Sequence, residues 1–168
     1  MLKVIDKNSN IIDIGANFGF ITLVMAKYID GKVFSFESEK NIFNNLKKSV
    51  KKNDLNNIKL FNYLMGEKDS KNTKTVDSLL SDLDVSINLI KIDTDGSDLN
   101  CLKGCAKIIS KDHPIIVIEA NDNLELIIDY IEPYGYNFYY DQFLKEYLIK
   151  NLNTKDVPNL IASVRKLK

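Results

Sequence analysis

The chain has 168 residues with 23 basic and 23 acidic side chains, so its formal net charge at neutral pH is zero. A balanced charge gives no general attraction to nucleic acid or to anionic lipid, and a hydrophobic fraction of 45% is ordinary for a globular protein. The length predicts a single domain over residues 1–168. Neither a membrane span nor a secretory signal is visible, which favours the cytoplasm.

The first strong pattern is an apolar run from Ile11 to Ile14, followed by Gly15 and Gly19 and then by apolar residues at helical spacing. This pattern predicts a buried strand, a tight turn and a helix that begins over the turn. Backbone N–H groups at such a helix start favour a polar or anionic ligand group. Asp13, close to the end of the strand, is expected to face the same cleft.

The spacing of the glycines bears on which nucleotide the turn binds. Dinucleotide-binding turns carry G-x-G-x-x-G, and their second Gly lets the backbone approach a pyrophosphate. Asn17 occupies that position here, so the match is only G-x-x-x-G. A ligand built from an amino acid and a nucleoside needs no pyrophosphate contact, and S-adenosylmethionine (SAM) fits that description. The alternative is a turn whose glycines serve steric needs alone.

The next segments predict a second strand and an amphipathic helix. Residues 32–37 are rich in β-formers and end on Glu37, about where βαβ nucleotide folds place a carboxylate for ribose hydroxyls. The alternative for Glu37 is a solvated strand end. Residues 39–53 predict a helix with an apolar stripe and a lysine-rich outer face. We interpret that face as solvated, because the helix lacks an interleaved aromatic platform for base stacking.

The middle of the chain predicts a strand over 58–64 that runs into Met65 and Gly66, a wholly polar stretch over 68–74, and a short helix over 75–80. The polar stretch is our candidate substrate loop, since loops at the ligand edge of α/β sheets often carry substrate contacts. Thr75 or Asp77 is able to cap the short helix.

The second half predicts further strands over 88–93, 114–119, 136–140 and 159–164, the last two around an irregular connection, with helices over about 99–109 and 124–131. Cys101 and Cys105 lie four residues apart on the first of these helices. We interpret them as small packing residues, since their spacing suits neither a disulfide nor a metal site. The acids of residues 93–98 do not form an EF-hand, which requires a later bidentate Glu.

Strands that alternate with helices predict a parallel sheet covered on both faces, and the central strands are apolar throughout, as buried parallel strands should be. Asp13, Glu37, Asp93 and Glu119 then share the carboxyl edge, where open α/β sheets bind ligands. His113 precedes its strand and is expected at the opposite edge, away from any catalytic role.

With these residues in place, the chain resembles the FkbM-type family of SAM-dependent methyltransferases. The resemblance runs from the first strand to the fifth and rests on three segments: D-I-G-A-N-F-G at 13–19, F-E at 36–37, and L-I-K-I-D-T-D-G-S-D at 89–98 with L-K-G at 102–104 and I-V-I-E at 116–119. Asp95 and Asp98 stand where the family usually has Glu. Any N-terminal segment that covers the substrate pocket is expected to be absent.

The resemblance implies a Rossmann-like class I methyltransferase fold and O-methylation of sugar or polyketide hydroxyls. We expect an α/β fold with a mostly parallel central sheet, helices on both faces and an antiparallel last strand. Asp93 is the first candidate for the catalytic base, with Asp95 and Glu119 in reserve, and no metal is predicted. The predicted cofactor-binding residues are Asp13, Gly15, Asn17, Gly19, Glu37, Ser38, Met65, Gly66 and Asp93.

The predicted partners are SAM and a small-molecule or glycan hydroxyl acceptor, without nucleic acid. Two other functions remain open from the sequence. One is a non-catalytic SAM- or sugar-binding module, because a fold does not guarantee activity. The other is an NAD-dependent oxidoreductase, against which Asn17 argues. An alternative role for Asp95 and Asp98 is to cap the following helix, because Asp is a preferred capping residue.

Overall fold

The computed structural model describes residues 2–119, 123–141, 143, 145–147 and 159–167. The ten strands described are β1 (Ile11–Ile14), β2 (Val33–Phe36), β3 (Ile58–Phe61), β4 (Leu64–Met65), β5 (Thr73–Lys74), β6 (Leu89–Ile92), β7 (Ile115–Glu119), β8 (Phe138–Tyr140), β9 (Glu146–Tyr147) and β10 (Asn159–Ser163). The six α-helices described are α1 (Phe20–Tyr28), α2 (Lys40–Lys52), α3 (Val76–Leu79), α4 (Asp98–Lys103), α5 (Ala106–Asp112) and α6 (Leu124–Ile131). Short 3₁₀ helices span Leu2–Val4 and Glu132–Tyr134.

Eight of the described strands form one sheet in the order β3-β2-β1-β6-β7-β10-β8-β9. The five strands from β3 to β7 run parallel, whereas β10 is antiparallel to both β7 and β8. Strands β4 and β5 form a separate parallel pair. The predicted mostly parallel sheet with an antiparallel last strand is therefore confirmed.

Alternate residues of the strands pack on opposite faces of the sheet, as strand geometry requires. Ile12 and Ile14 lie in one apolar cluster with residues of α3, α4, α5 and α6. Ile11 lies in the other cluster, with Met25 and Ala26 of α1. Leu46 and Val50 of α2 form a third small cluster with Ala16. Helices therefore cover both faces, and residues of the same parity as Ile11 face α1.

The structure departs from the predicted elements between residues 62 and 112. The predicted strand over 58–64 ends at Phe61, and the single predicted helix over 99–109 is two helices, α4 and α5. Asp77 explains why a new helix begins at α5. Its carboxylate accepts the backbone N–H groups of Lys107 at 2.8 Å and Ile108 at 3.2 Å, in the first turn of α5. Thr75 caps α3 instead, accepting the N–H of Ser78.

The candidate substrate loop is structured in a way that its polar composition did not indicate. Residues 68–74 include β5, whose Thr73 pairs with Leu64 of β4. Asp69 accepts the backbone N–H of Thr75 at 2.7 Å and the hydroxyl of Ser78 at 3.0 Å. These hydrogen bonds, the backbone one foremost, lower the pKa of Asp69. The loop is tied to α3 by its polar side chains.

Gly15 packs directly against the connection that follows β6. It comes after the last residue of β1 and has a φ of +77°, and a Cβ atom there would overlap the carbonyl oxygen of Asp93, the residue that follows β6. Only glycine satisfies both conditions, since it has no Cβ and adopts positive φ without strain. The connections that follow β1 and β6 are thereby held against each other at the carboxyl edge of the sheet.

We predict that Gly15→Ala destabilises the protein much more than Gly96→Ala. Both glycines have a positive φ, +77° and +83°, but a Cβ on Gly96 would meet nothing within 4 Å. The Gly96 variant should therefore lose only the left-handed backbone cost of about 1–2 kcal/mol. The Gly15 variant should lose roughly 1–3 kcal/mol more from overpacking. Urea unfolding of both variants measures the difference, and equal losses would contradict the close approach.

Candidate active site

The backbone N–H groups of the turn after β1 donate hydrogen bonds to acceptors within the protein. The backbone N–H groups of Gly15 and Ala16 both donate to the carbonyl oxygen of Phe36 at 3.0 Å. The N–H of Asn17 donates to Oε2 of Glu37 at 2.9 Å. The turn is therefore fastened to the end of β2 by three hydrogen bonds.

The rest of the turn is closed by local hydrogen bonds. Oδ1 of Asn17 accepts the N–H of Phe18 at 2.8 Å, and the N–H of Gly19 donates to the carbonyl of Ala16. Asn17 has a φ of +51°, a left-handed conformation that Asn tolerates better than most residues. Each N–H group of residues 15–19 therefore has a protein acceptor, and the helix start at which ligand contacts were predicted lies beyond the turn, at Phe20.

Glu37 holds this turn by hydrogen bonds and also lines the adjoining cleft. Its side chain is only 8% exposed. Oε1 accepts the N–H of Glu39 at 2.8 Å, while Oε2 accepts that of Asn17. A carboxylate has about four acceptor positions, so Glu37 keeps capacity for ligand hydroxyls. Asn62 supports the same loop by donating to the carbonyls of Glu37 and Ser38.

A cleft of about 680 Å³ opens at the carboxyl ends of β1, β2 and β6. This volume is within the usual range for small-molecule sites. Seven of the predicted site residues line it, namely Gly15, Asn17, Glu37, Ser38, Met65, Asp93 and Asp95. Four do not: Asp13, Gly19, Gly66 and Glu119.

Asp13 lies beneath the cleft and not in it, which corrects the sequence expectation. It is fully buried, and it has the same parity along β1 as Ile11, so its side chain points to α1. Its Oδ2 accepts the hydroxyl of Thr22 at 2.6 Å. Two other predicted residues have packing roles as well: Gly19 is the N-cap of α1, and buried Gly66 contacts Gly104 through its carbonyl oxygen.

The far end of the cleft is acidic. Asp93 and Asp95 line it, and the Asp93 side chain is 57% exposed. Glu119 ends β7 nearby and is half-buried. Burial raises the pKa of Glu119, and the neighbouring charges of Asp93, Asp98 and Asp95 raise it further. The three candidate bases are therefore electrostatically connected, with Asp93 and Asp95 on the cleft and Glu119 behind them.

Asp98 has a structural role in this region. Its side chain is fully buried, and Oδ1 accepts the backbone N–H of Thr94 at 2.8 Å and the Thr94 hydroxyl at 3.1 Å. It closes the turn between β6 and α4. Among the described residues its carboxylate accepts no N–H group of α4, so it does not cap that helix as the alternative proposed. Asp95 stays exposed on the cleft.

Several residues of the cleft were not among the predicted site residues. Lys91 is the most informative, because a lysine in the middle of an otherwise apolar strand was a visible signal of a special environment. The other unpredicted lining residues include Phe18, Phe20, Ile42, Tyr63, Leu64, Thr94, Ser97 and Cys101. Phe18, Phe20, Tyr63 and Leu64 are large apolar side chains that stay exposed around the cleft.

The remaining candidates are placed as expected. Cys101 and Cys105 are buried free thiols, and burial raises the pKa of Cys101 to about 11, which agrees with a packing role. His113 follows α5 and precedes β7, at the edge opposite the cleft.

In the part of the chain that the structure describes, no cluster of His, Cys, Asp and Glu side chains is arranged to hold a metal ion. No helix among the described residues is long and apolar enough to span a membrane.

We predict that Glu119→Gln stabilises the fold at neutral pH and has little effect in acid. A carboxyl group with a raised pKa in the folded state costs stability when it is ionised, and this cost disappears as the pH falls through that pKa. Denaturation of wild type and variant at pH 7 and at about pH 4, near the unfolded value, tests the sign. A variant that is less stable than wild type at pH 7 would contradict the electrostatic reading.

Two family models match successive parts of the chain. The model described as Methyltransferase FkbM domain matches residues 66–138, and that described as Protein-L-isoaspartate(D-aspartate) O-methyltransferase (PCMT) matches residues 1–67. A search of curated proteins finds no match. Over residues 66–138 the chain is thus similar to FkbM-type SAM-dependent methyltransferases, and the resemblance predicted from the sequence is confirmed.

Solved structures with this fold are similar at low sequence identity. The FkbM methyltransferase from Methylobacillus flagellatus KT superposes with a TM-score of 0.69 at 19% identity, covering 94% of this chain and 44% of that protein. An rRNA methylase from Streptococcus thermophilus has a TM-score of 0.65 at 17% identity, covering 99% and 92% of the two chains. The chain thus spans less than half of the FkbM structure's length.

A third structure bears on the cofactor. SMU.1697c from Streptococcus mutans was solved in complex with SAH (S-adenosylhomocysteine) and superposes with a TM-score of 0.62 at 13% identity, covering 96% and 90% of the two chains. These neighbours confirm the Rossmann-like class I methyltransferase fold. The FkbM family model and the complex with SAH also identify SAM as the cofactor of the proteins to which this chain is similar.

Proposed function

We propose that this protein is a SAM-dependent O-methyltransferase that acts on a hydroxyl group of a sugar, a glycan or a related natural product. The observation that carries the proposal is that one cleft joins the carboxylate of Glu37 at the end of β2 to the exposed carboxylate of Asp93 at the end of β6. The first carboxylate suits a ribose, and the second suits an acceptor hydroxyl whose proton must be removed.

The described residues offer a fitting environment for each part of the cofactor. Glu37 would accept hydrogen bonds from the ribose hydroxyls. Ser38, Ile42 and Met65 would surround the base, next to the exposed ring of Tyr63. The methionine part would lie between the turn at Gly15 and the acids that follow β6.

The charge of the cleft favours a cationic ligand. Among the described residues that line it, four are acidic and one, Lys91, is basic: Glu37, Glu39, Asp93 and Asp95 against the single lysine. SAM carries a sulfonium and an ammonium group against one carboxylate. A phosphodiester backbone would meet repulsion in the same place, which favours a small neutral acceptor over nucleic acid.

Glu37 also argues against a dinucleotide. Its carboxylate accepts the hydrogen bond of the Asn17 N–H. Asn17 stands at the position where dinucleotide folds bring the backbone close to a pyrophosphate. A pyrophosphate there would meet a carboxylate and a side chain instead of a free N–H and a glycine. The NAD-dependent oxidoreductase is therefore disfavoured by charge as well as by shape.

When bound, SAM would supply an electrophilic methyl group, whose bond to sulfur breaks as the acceptor oxygen bonds to the carbon. The chain's part is to position the hydroxyl and to take its proton. We assign this role to Asp93, because it lines the cleft and its Oδ2 lies 3.4 Å from Nζ of Lys91. Asp95 lines the same end and is the second candidate.

The experiment that tests the proposal is transfer of an isotope-labelled methyl group from SAM to a panel of monosaccharide, glycan and polyketide alcohols. We expect alkali-stable label in at least one acceptor, as an ether bond requires. We expect Asp93→Asn to reduce the rate by about 10²–10⁴, the usual contribution of a general base. Binding of SAH without transfer to any acceptor would instead favour the non-catalytic binding module.

We predict that Glu37→Ala weakens SAH binding at least about tenfold, because hydrogen bonds to a charged group are lost along with an anchor of the turn. Glu67→Ala is the matched control, since Glu67 is exposed and does not line the cleft. Calorimetry gives the affinities, and thermal melting identifies any unfolded variant. Equal SAH affinity in the two variants would exclude Glu37 from the cofactor site.

A further inference from the structure

A row of polar side chains crosses three neighbouring strands beneath α1. Ser35 of β2, Asp13 of β1 and Lys91 of β6 are direct register partners and are all buried. Thr22 of α1 lies over the row, 2.6 Å from Oδ2 of Asp13 and 3.1 Å from Oγ of Ser35. Apolar residues would be expected at these central positions of a parallel sheet, so the row needs a specific explanation.

Lys91 is the part of this row that reaches the cleft. Its side chain is 8% exposed, and its Nζ lies 3.2 Å from Oδ1 of the fully buried Asp13. The same nitrogen donates to the carbonyl oxygen of Gly15 at 3.2 Å and lies 3.4 Å from Oδ2 of Asp93. One ammonium group thus contacts a buried carboxylate and two groups on residues that line the cleft.

Charge neutralisation alone accounts for only part of this arrangement. A buried Asp13 requires a counter-charge, and Lys91 supplies it. Pairing with Asp13 does not require the ammonium group to contact Gly15 and Asp93 as well. These two residues belong to two different strand-to-helix connections. Asp93 has no other hydrogen bond or ion pair from its side chain among the described residues, so Lys91 is its single charged restraint there.

We propose that Lys91 is a positioning residue of the cofactor site. Its ammonium fixes the Gly15 carbonyl and the Asp93 carboxylate relative to each other, so the methionine end of the ligand meets a preformed site. Asp13, whose other oxygen accepts the hydroxyl of Thr22, contacts the lysine from below. This inference rests on the proposed function, because it assumes that the cleft binds SAM or SAH. Fixing groups in advance raises affinity by reducing the ordering that binding must impose.

The test is a double-mutant cycle in SAH affinity, measured by calorimetry on wild type, Lys91→Met, Asp93→Asn and the double variant. We expect Lys91→Met to weaken binding at least about tenfold, as loss of a charge-assisted contact does. If Lys91 acts through Asp93, the two substitutions must be non-additive, with a much smaller effect of Lys91→Met when Asp93 is already Asn. Lys103→Met controls for the loss of an ordinary, partly exposed lysine.

A second pair of variants separates positioning from neutralisation of Asp13. Removing both buried charges in Asp13→Asn/Lys91→Met restores electrical balance and is often tolerated, whereas removing one is not. If Lys91 serves only Asp13, the double variant should bind SAH as well as Asp13→Asn does. We expect it to bind at least about tenfold more weakly than Asp13→Asn, because Gly15 and Asp93 still lack their common partner.

The outcomes are distinct. Wild type that fails to bind SAH overturns the proposed function and this inference with it. Wild type that binds SAH, together with Lys91→Met of unchanged affinity or with additive effects in the cycle, overturns the inference and leaves the proposed function in place. Asp13→Asn/Lys91→Met with the affinity of Asp13→Asn overturns it as well.

Discussion

The close contact between Gly15 and the carbonyl of Asp93 is the constraint on which the site depends. Because β1 and β6 are neighbouring parallel strands, their carboxyl ends lie at one level, and only a residue without a Cβ lets the turn pass. The turn is then fastened to β2 through Phe36 and Glu37. Three strand ends and their side chains are thus brought into one cleft by backbone geometry.

Electrostatics give this cleft its selectivity. The N–H groups of the turn already donate within the protein, so the charged groups presented to a ligand are four carboxylates and one ammonium, set among apolar side chains. Such a surface suits a cationic cofactor and a neutral hydroxyl acceptor, and it opposes phosphates. The buried Asp13–Lys91 pair beneath it supplies the one positive charge among the described lining residues. Charge balance of the whole chain conceals this local asymmetry.

The mostly parallel sheet and the position of the cleft followed from the sequence, because apolar strands that alternate with helices and end in acids indicate a ligand site at the carboxyl edge. Sequence did not distinguish Asp13 in the core from Asp93 in the cleft. Both have the same parity in the sheet register, but Asp13 lies within β1 under α1, whereas Asp93 follows the end of β6. The break between α4 and α5 escaped detection because Asp77, distant in sequence, caps the second helix. Likewise, the N–H groups of residues 15–17 donate to Phe36 of β2 and to Glu37 just after it, which no local pattern reveals.

The measurement that tests the central claim most directly is calorimetric titration of the unmodified protein with SAH and, separately, with NAD. We expect saturable one-to-one binding of SAH and no binding of NAD. When SAM replaces SAH, its affinity should fall as the salt concentration is raised. The salt dependence follows from the acidic lining of the cleft. Binding of NAD, or of neither ligand, would contradict the account and leave a Rossmann-like scaffold with another use.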